Sequence, residues 1–417
     1  MGCADTDGDA RGQSQEALSG EFDAYGDALG THAFIEEFAN GDPRIRDHSG
    51  DDLDDYRFRP TDAVLLVGRT EDELSSLEVH VFAEDTGSLY IHHDITLSAF
   101  PLCVEWIGPP NGVPKCGGQA APRQNFVAVG SFDPSIEVWN LDVLDAFEPS
   151  VVLGGLTAAG SGNELRTGSH TDAVLGLSWN THHPGSLASC SADGCAKLWD
   201  LTRAGAPGSC VATFREVHQG KVQSVAWNPK EGDILATAAF DKTIAVIDAR
   251  IGLRGNAPPP TNVALRFDLG ADSECLKWDP YNPAIISCSC EDGTVVAFDV
   301  RGANAAPLWQ IHAHDESCTS ISFARRIPGI LCSASVDGTI KLWDVGKQQS
   351  KARQALAPVC VAEKNLGLGP IFGSQWYADS PFVIAAGGGK GIVAIWNVQD
   401  CLPSALSRAL ADGWVQS

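Results

Sequence analysis

His170, Ser189 and Asp193 are the three residue types of a nucleophilic triad: a hydroxyl to attack an acyl carbon, an imidazole to take its proton, and a carboxylate to orient the imidazole. The same types return at the same offsets. His218, Thr237 and Asp241 repeat the steps of 19 and 23 residues, and so do His314, Ser333 and Asp337. An acyl-transfer centre is built once per enzyme, whereas a constellation recurring three times at fixed spacing belongs to a repeated structural unit. Six residues after Asp193 and Asp337 stand Trp199 and Trp343, and Ile247 takes that place after Asp241. The reading is of structural tetrads, His170, Ser189, Asp193, Trp199 and His314, Ser333, Asp337, Trp343, with a third set that has lost its Trp. No catalytic residue is assigned, and the chain is expected not to be an enzyme.

Other stretches that could do chemistry read as structure too. AAGGGKG (385–391) lacks the Ser or Thr after Lys390 that a phosphate-binding loop uses for its metal, so a tight turn is expected there. HAH (312–314) with Cys318, and CSC (288–290), have ligand types but sit on alternating strand positions, so no metal and no cofactor is expected.

The elements that must hold the tetrads follow from spacing. Anchors Trp139, Trp199, Ile247, Phe298, Trp343 and Trp396 lie 60, 48, 51, 45 and 53 residues apart. Twenty residues before five of them stand Trp179, Trp227, Trp278, Phe323 and Trp376. Runs such as ILATAAF and AIISCSC between these marks have the length and turn boundaries of buried strands. Each unit then holds about four short antiparallel strands, the first carrying one aromatic and the third the other, which predicts an all-β propeller. Asp133, Asp193, Asp241, Asp292 and Asp337 fall in the turns between second and third strands, and Lys390 replaces Asp in the last copy. The copy with Asp292 has Leu269 and Cys288 where the His and hydroxyl belong, so both members of one network are absent together.

These units resemble WD repeats. PTDAVLLVGRTEDELSSLEVHVF, GSLYIHHDITLSAFPLCVEW, FVAVGSFDPSIEVWNLDVLDAFEPSVVLG and SHTDAVLGLSWN resemble more specifically the periodic tryptophan proteins of ribosome biogenesis, over roughly residues 50 to 400. The resemblance implies seven blades with Phe82 as the first anchor, and a location in the nucleus and nucleolus. It implies a non-catalytic scaffold that assists large-subunit assembly and rRNA processing, with ribosome-assembly proteins and pre-ribosomal particles as partners. A histone-tail reader acting at ribosomal DNA is the alternative, which an aromatic cage at Phe132 or Phe240 would favour.

Charge bounds the partners. The formal net charge is −24, and residues 1–60 carry fifteen Asp and Glu against five Arg and no Lys. Such a surface repels phosphate, so basic ribosomal proteins or histone tails fit better than nucleic acid, and any RNA contact is expected to be indirect. KQQSKARQ (347–354) is a basic cluster expected in a rim loop. No apolar run is long enough to span a bilayer, the acidic start has no secretory apolar core, and thirteen cysteines read as free thiols in a reducing compartment. Residues 1–60 are expected to be a disordered acidic segment, 61–400 the propeller and 401–417 a tail. Phe132, Ala192, Phe240, Glu291 and Val336, each just before a turn Asp, are the candidate partner-binding residues.

Overall fold

The computed structural model describes residues 62–108, 125–144, 146–157, 164–206, 208–252, 263–302, 306–346 and 357–402. The acidic segment 1–60, the basic stretch 347–354 and the tail from 403 lie outside these residues. Seven antiparallel sheets follow one another along the chain as the blades of a β-propeller. Blade 1 holds β1 (Asp62–Glu71), β2 (Leu74–Ala83) and β3 (Ser88–Leu97), and blade 2 holds β4 (Pro101–Ile107), β5 (Phe126–Ser131), β6 (Ser135–Asn140) and β7 (Val151–Gly154). Blade 3 is β8 (Val174–Trp179), β9 (Ser186–Ser191), β10 (Ala196–Asp200) and β11 (Cys210–Phe214); blade 4 is β12 (Val222–Trp227), β13 (Ile234–Ala239), β14 (Thr243–Asp248) and β15 (Val263–Asp268). Blade 5 is β16 (Ser273–Trp278), β17 (Ile285–Cys290), β18 (Thr294–Asp299) and β19 (Trp309–His312); blade 6 is β20 (Ser320–Phe323), β21 (Ile330–Ala334), β22 (Thr339–Asp344) and β23 (Val359–Asn365). Blade 7 is β24 (Ile371–Trp376), β25 (Val383–Gly388) and β26 (Val393–Asn397). Helix among the described residues is confined to a 3-10 turn, Leu201–Arg203, and one short turn, Ala249–Gly252, so none is long and apolar enough to cross a membrane.

The middle strands are buried on both faces, which is why they read as nearly continuous small or apolar runs. β9 and β13 expose only their first residue in part, and β17 is buried throughout. Anchors sit on the third strand and pack toward the preceding blade. Trp199 shares one cluster with Ile136, Val138 and Leu153 of blade 2. Each anchor faces a fixed partner on the second strand: Val127 for Trp139, Leu187 for Trp199, Leu235 for Ile247, Ile286 for Phe298, Leu331 for Trp343 and Ile384 for Trp396.

Adjacent blades are also tied by side chains of the first strands. Glu105 accepts from the Trp179 amide at 2.9 Å, Ser178 from Trp227 at 3.2 Å, Ser224 from Leu276 at 3.1 Å, and Ser320 and Ser322 from Ser374 and Trp376 at 3.1 and 2.9 Å. These amides lie on edge strands, so once the neighbouring blade has excluded water from them its side chains must pair them. Blade 7 meets blade 1 differently: Ser380 comes close to Glu84, and the Tyr377 phenol close to the Val64 backbone.

Turn geometry makes one glycine critical to this packing. Gly194 and Gly293 both hold left-handed φ, +78° and +77°, after the turn Asp. A Cβ on Gly194 would meet the Gly220 carbonyl oxygen at an ordinary 3.5 Å, but on Gly293 it would fall 2.0 Å from the His314 carbonyl oxygen. Gly194→Ala should therefore cost about 1–2 kcal/mol of backbone strain, and Gly293→Ala clearly more. Chemical denaturation of the two variants tests this, and equal losses would refute it.

Candidate functional site

Alternation along the second strand and the tight turn that follows place a hydroxyl, a carboxylate and the anchor around each blade-opening His. His170 Nδ1 lies 2.8 Å from Asp193 and its Nε2 2.7 Å from Ser189 Oγ, and Trp199 Nε1 donates to the same Oγ at 2.8 Å. Blade 6 repeats this with His314 to Asp337 at 3.0 Å, to Ser333 at 2.7 Å, and Trp343 to Ser333 at 2.9 Å. In blade 4, His218 contacts Asp241 at 3.1 Å and Thr237 at 2.8 Å, and Ile247 has no N–H to give.

Donor and acceptor roles follow. The carboxylate accepts from Nδ1–H, which leaves Nε2 as an acceptor, so the hydroxyl donates to Nε2 and accepts from the Trp N–H. Ser189 and Ser333 are completely buried with both capacities used, which denies them the role of nucleophile. Burial pushes the His170 imidazole below its usual 6.5, against the pull of Asp193. For Asp193 burial acts upward, but the bond and charge of His170 and the Thr171 and Cys195 amides prevail and hold the carboxyl at about 2. His218 and His314 are lowered for the same cause, burial, and Asp241 and Asp337 are lowered by their bonds against burial.

Blades 2 and 5 have other arrangements. Trp139 donates to Glu137 at 3.0 Å, which also accepts from Ser98. Among the described residues Asp292 accepts only from Thr294, within its own turn. Cys288 and Cys290 are buried, and the described residues hold no group of three or more His, Cys, Asp or Glu suited to a metal ion.

Above the networks lies the Asp-turn face. The five residues before the turn Asp share one backbone role: Phe132, Ala192, Phe240, Glu291 and Val336 donate their amides to carbonyls of Phe100, Ala173, Lys221, Asp272 and Ser317. Their side chains differ. Phe132 is 61% exposed and Glu291 is exposed, while Ala192, Phe240 and Val336 are half-buried. Ala192 lines an open recess with Gly194, Glu216, Gln219 and Lys221. Sequence reasoning missed Phe100, 47% exposed, whose ring meets Phe132 at 5.5 Å. Its place just before β4, level with the Asp turns, was the available signal. Exposed Asp133, Glu216, Glu291, Asp292, Asp315 and Glu316 make this face acidic, and crowding with Glu291 and Asp272 adds to burial in raising Glu274. No third ring joins Phe132 and Phe100, and none meets Phe240, among the described residues, so the aromatic cage of a tail reader is not formed there.

The WD domain, G-beta repeat family matches residues 162–200, 208–248 and 305–344, the three blades that hold a His paired with its turn Asp. A periodic tryptophan protein 1 homolog of Drosophila melanogaster is 30% identical over 401 residues, covering 96% of this chain and 81% of the fly protein. The chain belongs to the periodic tryptophan protein 1 family. The family's Saccharomyces cerevisiae protein is 29% identical, covering 88% of this chain and 69% of its own length. An uncharacterized WD repeat-containing protein of Schizosaccharomyces pombe is 34% identical over 83% of this chain and 64% of its own. Matches of this breadth place the family likeness across blades with and without the His networks.

Asp193→Ala and Asp337→Ala each leave a buried imidazole without its acceptor and should cost about 1–3 kcal/mol; Asp292→Ala, which orphans no His, should cost less. Denaturation midpoints showing equal losses at all three would contradict the network. Acid sensitivity has a defined sign. The unfolded chain binds protons at His near pH 6.5 while the folded chain does not, so stability should fall as pH drops below about 6.5, and fall further as Asp193 is protonated toward about 2. Urea titrations at pH 7.5 and 5.5 should show this loss, and it should shrink in His170→Gln.

Proposed function

We propose that this protein is a non-catalytic scaffold of the nucleus and nucleolus that assists assembly of the large ribosomal subunit, holding basic protein segments on its Asp-turn face. The observation that carries the reading is the match to periodic tryptophan protein 1 relatives along nearly the whole chain. The site supports it in three ways. Its hydroxyls are consumed by structure, its exposed aromatic pair offers a rigid anchor, and its carboxylates complement lysine and arginine rather than phosphate. Contact with pre-ribosomal particles would then run mainly through their basic proteins, with RNA met indirectly.

Depletion should raise large-subunit rRNA precursors and lower free large subunits, leaving small-subunit processing near normal. Phe132→Ala with Glu291→Lys, both on exposed side chains, should reproduce the defect while the protein still melts cooperatively. Normal precursors on depletion, with reduced ribosomal-DNA transcription instead, would replace this reading with that of a chromatin reader.

A further inference from the structure

The first strands β4, β8, β12, β16, β20 and β24 stand side by side and wall the central channel of the propeller. The residue before the aromatic of each, Glu105, Ser178, Ala226, Lys277, Ser322 and Gln375, holds one place in that wall. The place serves the next blade. Glu105, Ser178 and Ser322 accept there from the amides of Trp179, Trp227 and Trp376 at 2.9, 3.2 and 2.9 Å, and the Ala226 carbonyl accepts from the Trp278 indole at 3.1 Å. Register is the same from blade to blade: Trp227, Phe323 and Trp376 lie opposite Leu235, Leu331 and Ile384, each the second residue of its second strand. The Phe323 amide therefore faces the preceding blade, as those of Trp227 and Trp376 do.

The junction of blades 5 and 6 is the exception. Lys277 stands there in the acceptor's place, and an ammonium offers only protons, so donor meets donor. No described side chain accepts from the Phe323 amide, and Lys277 is half-buried with no ion pair or hydrogen bond among the described residues. Arg325, two residues past Phe323, is exposed, and its guanidinium has no ion pair among them either. Both cations reach the channel. Glu105, on blade 2, is raised by burial and drawn down by its bond to the Trp179 amide and then by the charges of Lys277 and Arg325, on blades 5 and 6. Carboxyl and cations so placed face one another across the channel, at the far ends of the first strands and so away from the Asp turns that follow the second strands.

We propose that the junction of blades 5 and 6 is a carboxylate-binding site on the channel wall, which takes an Asp, a Glu or the C-terminus of an acidic segment of a partner protein. One carboxylate oxygen accepts from the Phe323 amide and the other from Lys277 Nζ, with Arg325 beside them at the channel's end. The protein already makes half of this arrangement with its own side chain, since Glu105 gives an oxygen to the Trp179 amide in the same place between blades 2 and 3. Charge selects the ligand further. Two cations face one carboxyl across the channel, which suits one added carboxylate, whereas a net charge of −24 disfavours a phosphate dianion. Binding also gives a half-buried ammonium the counterion that its desolvation calls for. This site is separate from the Asp-turn face and does not depend on the proposed function.

The test uses the full chain at physiological ionic strength and a labelled peptide GSEEEEGS, with GSQQQQGS as the neutral control and a phosphoserine form of the latter as the phosphate control. Fluorescence anisotropy should show saturable binding of the glutamate peptide alone, and hydrogen exchange at the Phe323 amide should slow as it binds. Lys277→Met should weaken binding at least about tenfold, the loss of one charge-assisted hydrogen bond, and Lys277→Arg should keep most of it. Arg301→Ala, which removes an exposed cation already paired with Asp299 at 2.7 Å, should leave binding unchanged. Lys277→Gln can accept from the Phe323 amide itself, so it should abolish binding while the denaturation midpoint holds. Failure of the glutamate peptide to bind, or binding that Lys277→Met leaves intact, would overturn the proposal. Tighter binding of the phosphopeptide would overturn the choice of a carboxylate.

Discussion

A buried imidazole needs partners for both nitrogens, and in this ring one hydroxyl settles the second while also receiving the anchor's N–H. Asp193, His170, Ser189 and Trp199 form a chain in which every polar atom has a fixed role. That chain joins the top loop, the second strand, the turn and the third strand of one blade, so four segments distant in sequence are fixed by three short bonds. The alternative, an orphaned polar atom in a site that excludes water, costs about as much as several such bonds return.

The dependence shows where members are missing. Blade 4 keeps His218, Thr237 and Asp241 with an apolar anchor, since Ile247 removes a donor without orphaning an acceptor that already has a proton to give. Blade 5 drops the His and the hydroxyl together and fills the place with Leu269 and Cys288, both buried. Blade 2 bonds Trp139 to Glu137 on its own strand instead. Each is a self-consistent solution, and none of these blades keeps the buried His without both its carboxylate and its hydroxyl.

Much of this was legible from residue spacing because blade geometry is metric. A fixed count from first-strand aromatic to anchor reflects two strands and a short turn, and the His-to-Asp offset of 23 reflects the path across one blade. Blade 1 escaped the same ruler. Its β1 and β2 are ten residues each and extend past the usual turn, and Phe82 has no aromatic twenty residues upstream. Phe100 escaped for a different reason: it belongs to a loop, where side-chain direction is set by the neighbouring turn and not by period. Residues preceding the turn Asp were found by position, but whether each side chain faces solvent depends on the adjoining top loop, as the contrast between exposed Phe132 and half-buried Phe240 shows.

Ties between first strands make the ring cooperative in one direction around it. Ser178 of blade 3, Ser224 of blade 4, and Ser320 and Ser322 of blade 6 satisfy amides of the next blade, so the first strands of blades 4, 5 and 7 are fully bonded only when the predecessor is present. Beside blade 1 the pattern differs: Gly373 and Gln375 of β24 are exposed, and in β4 Pro101 and Val104 are half-buried and Trp106 exposed. Glu105, raised by burial, holds the Trp179 amide and so ties blade 2 to blade 3.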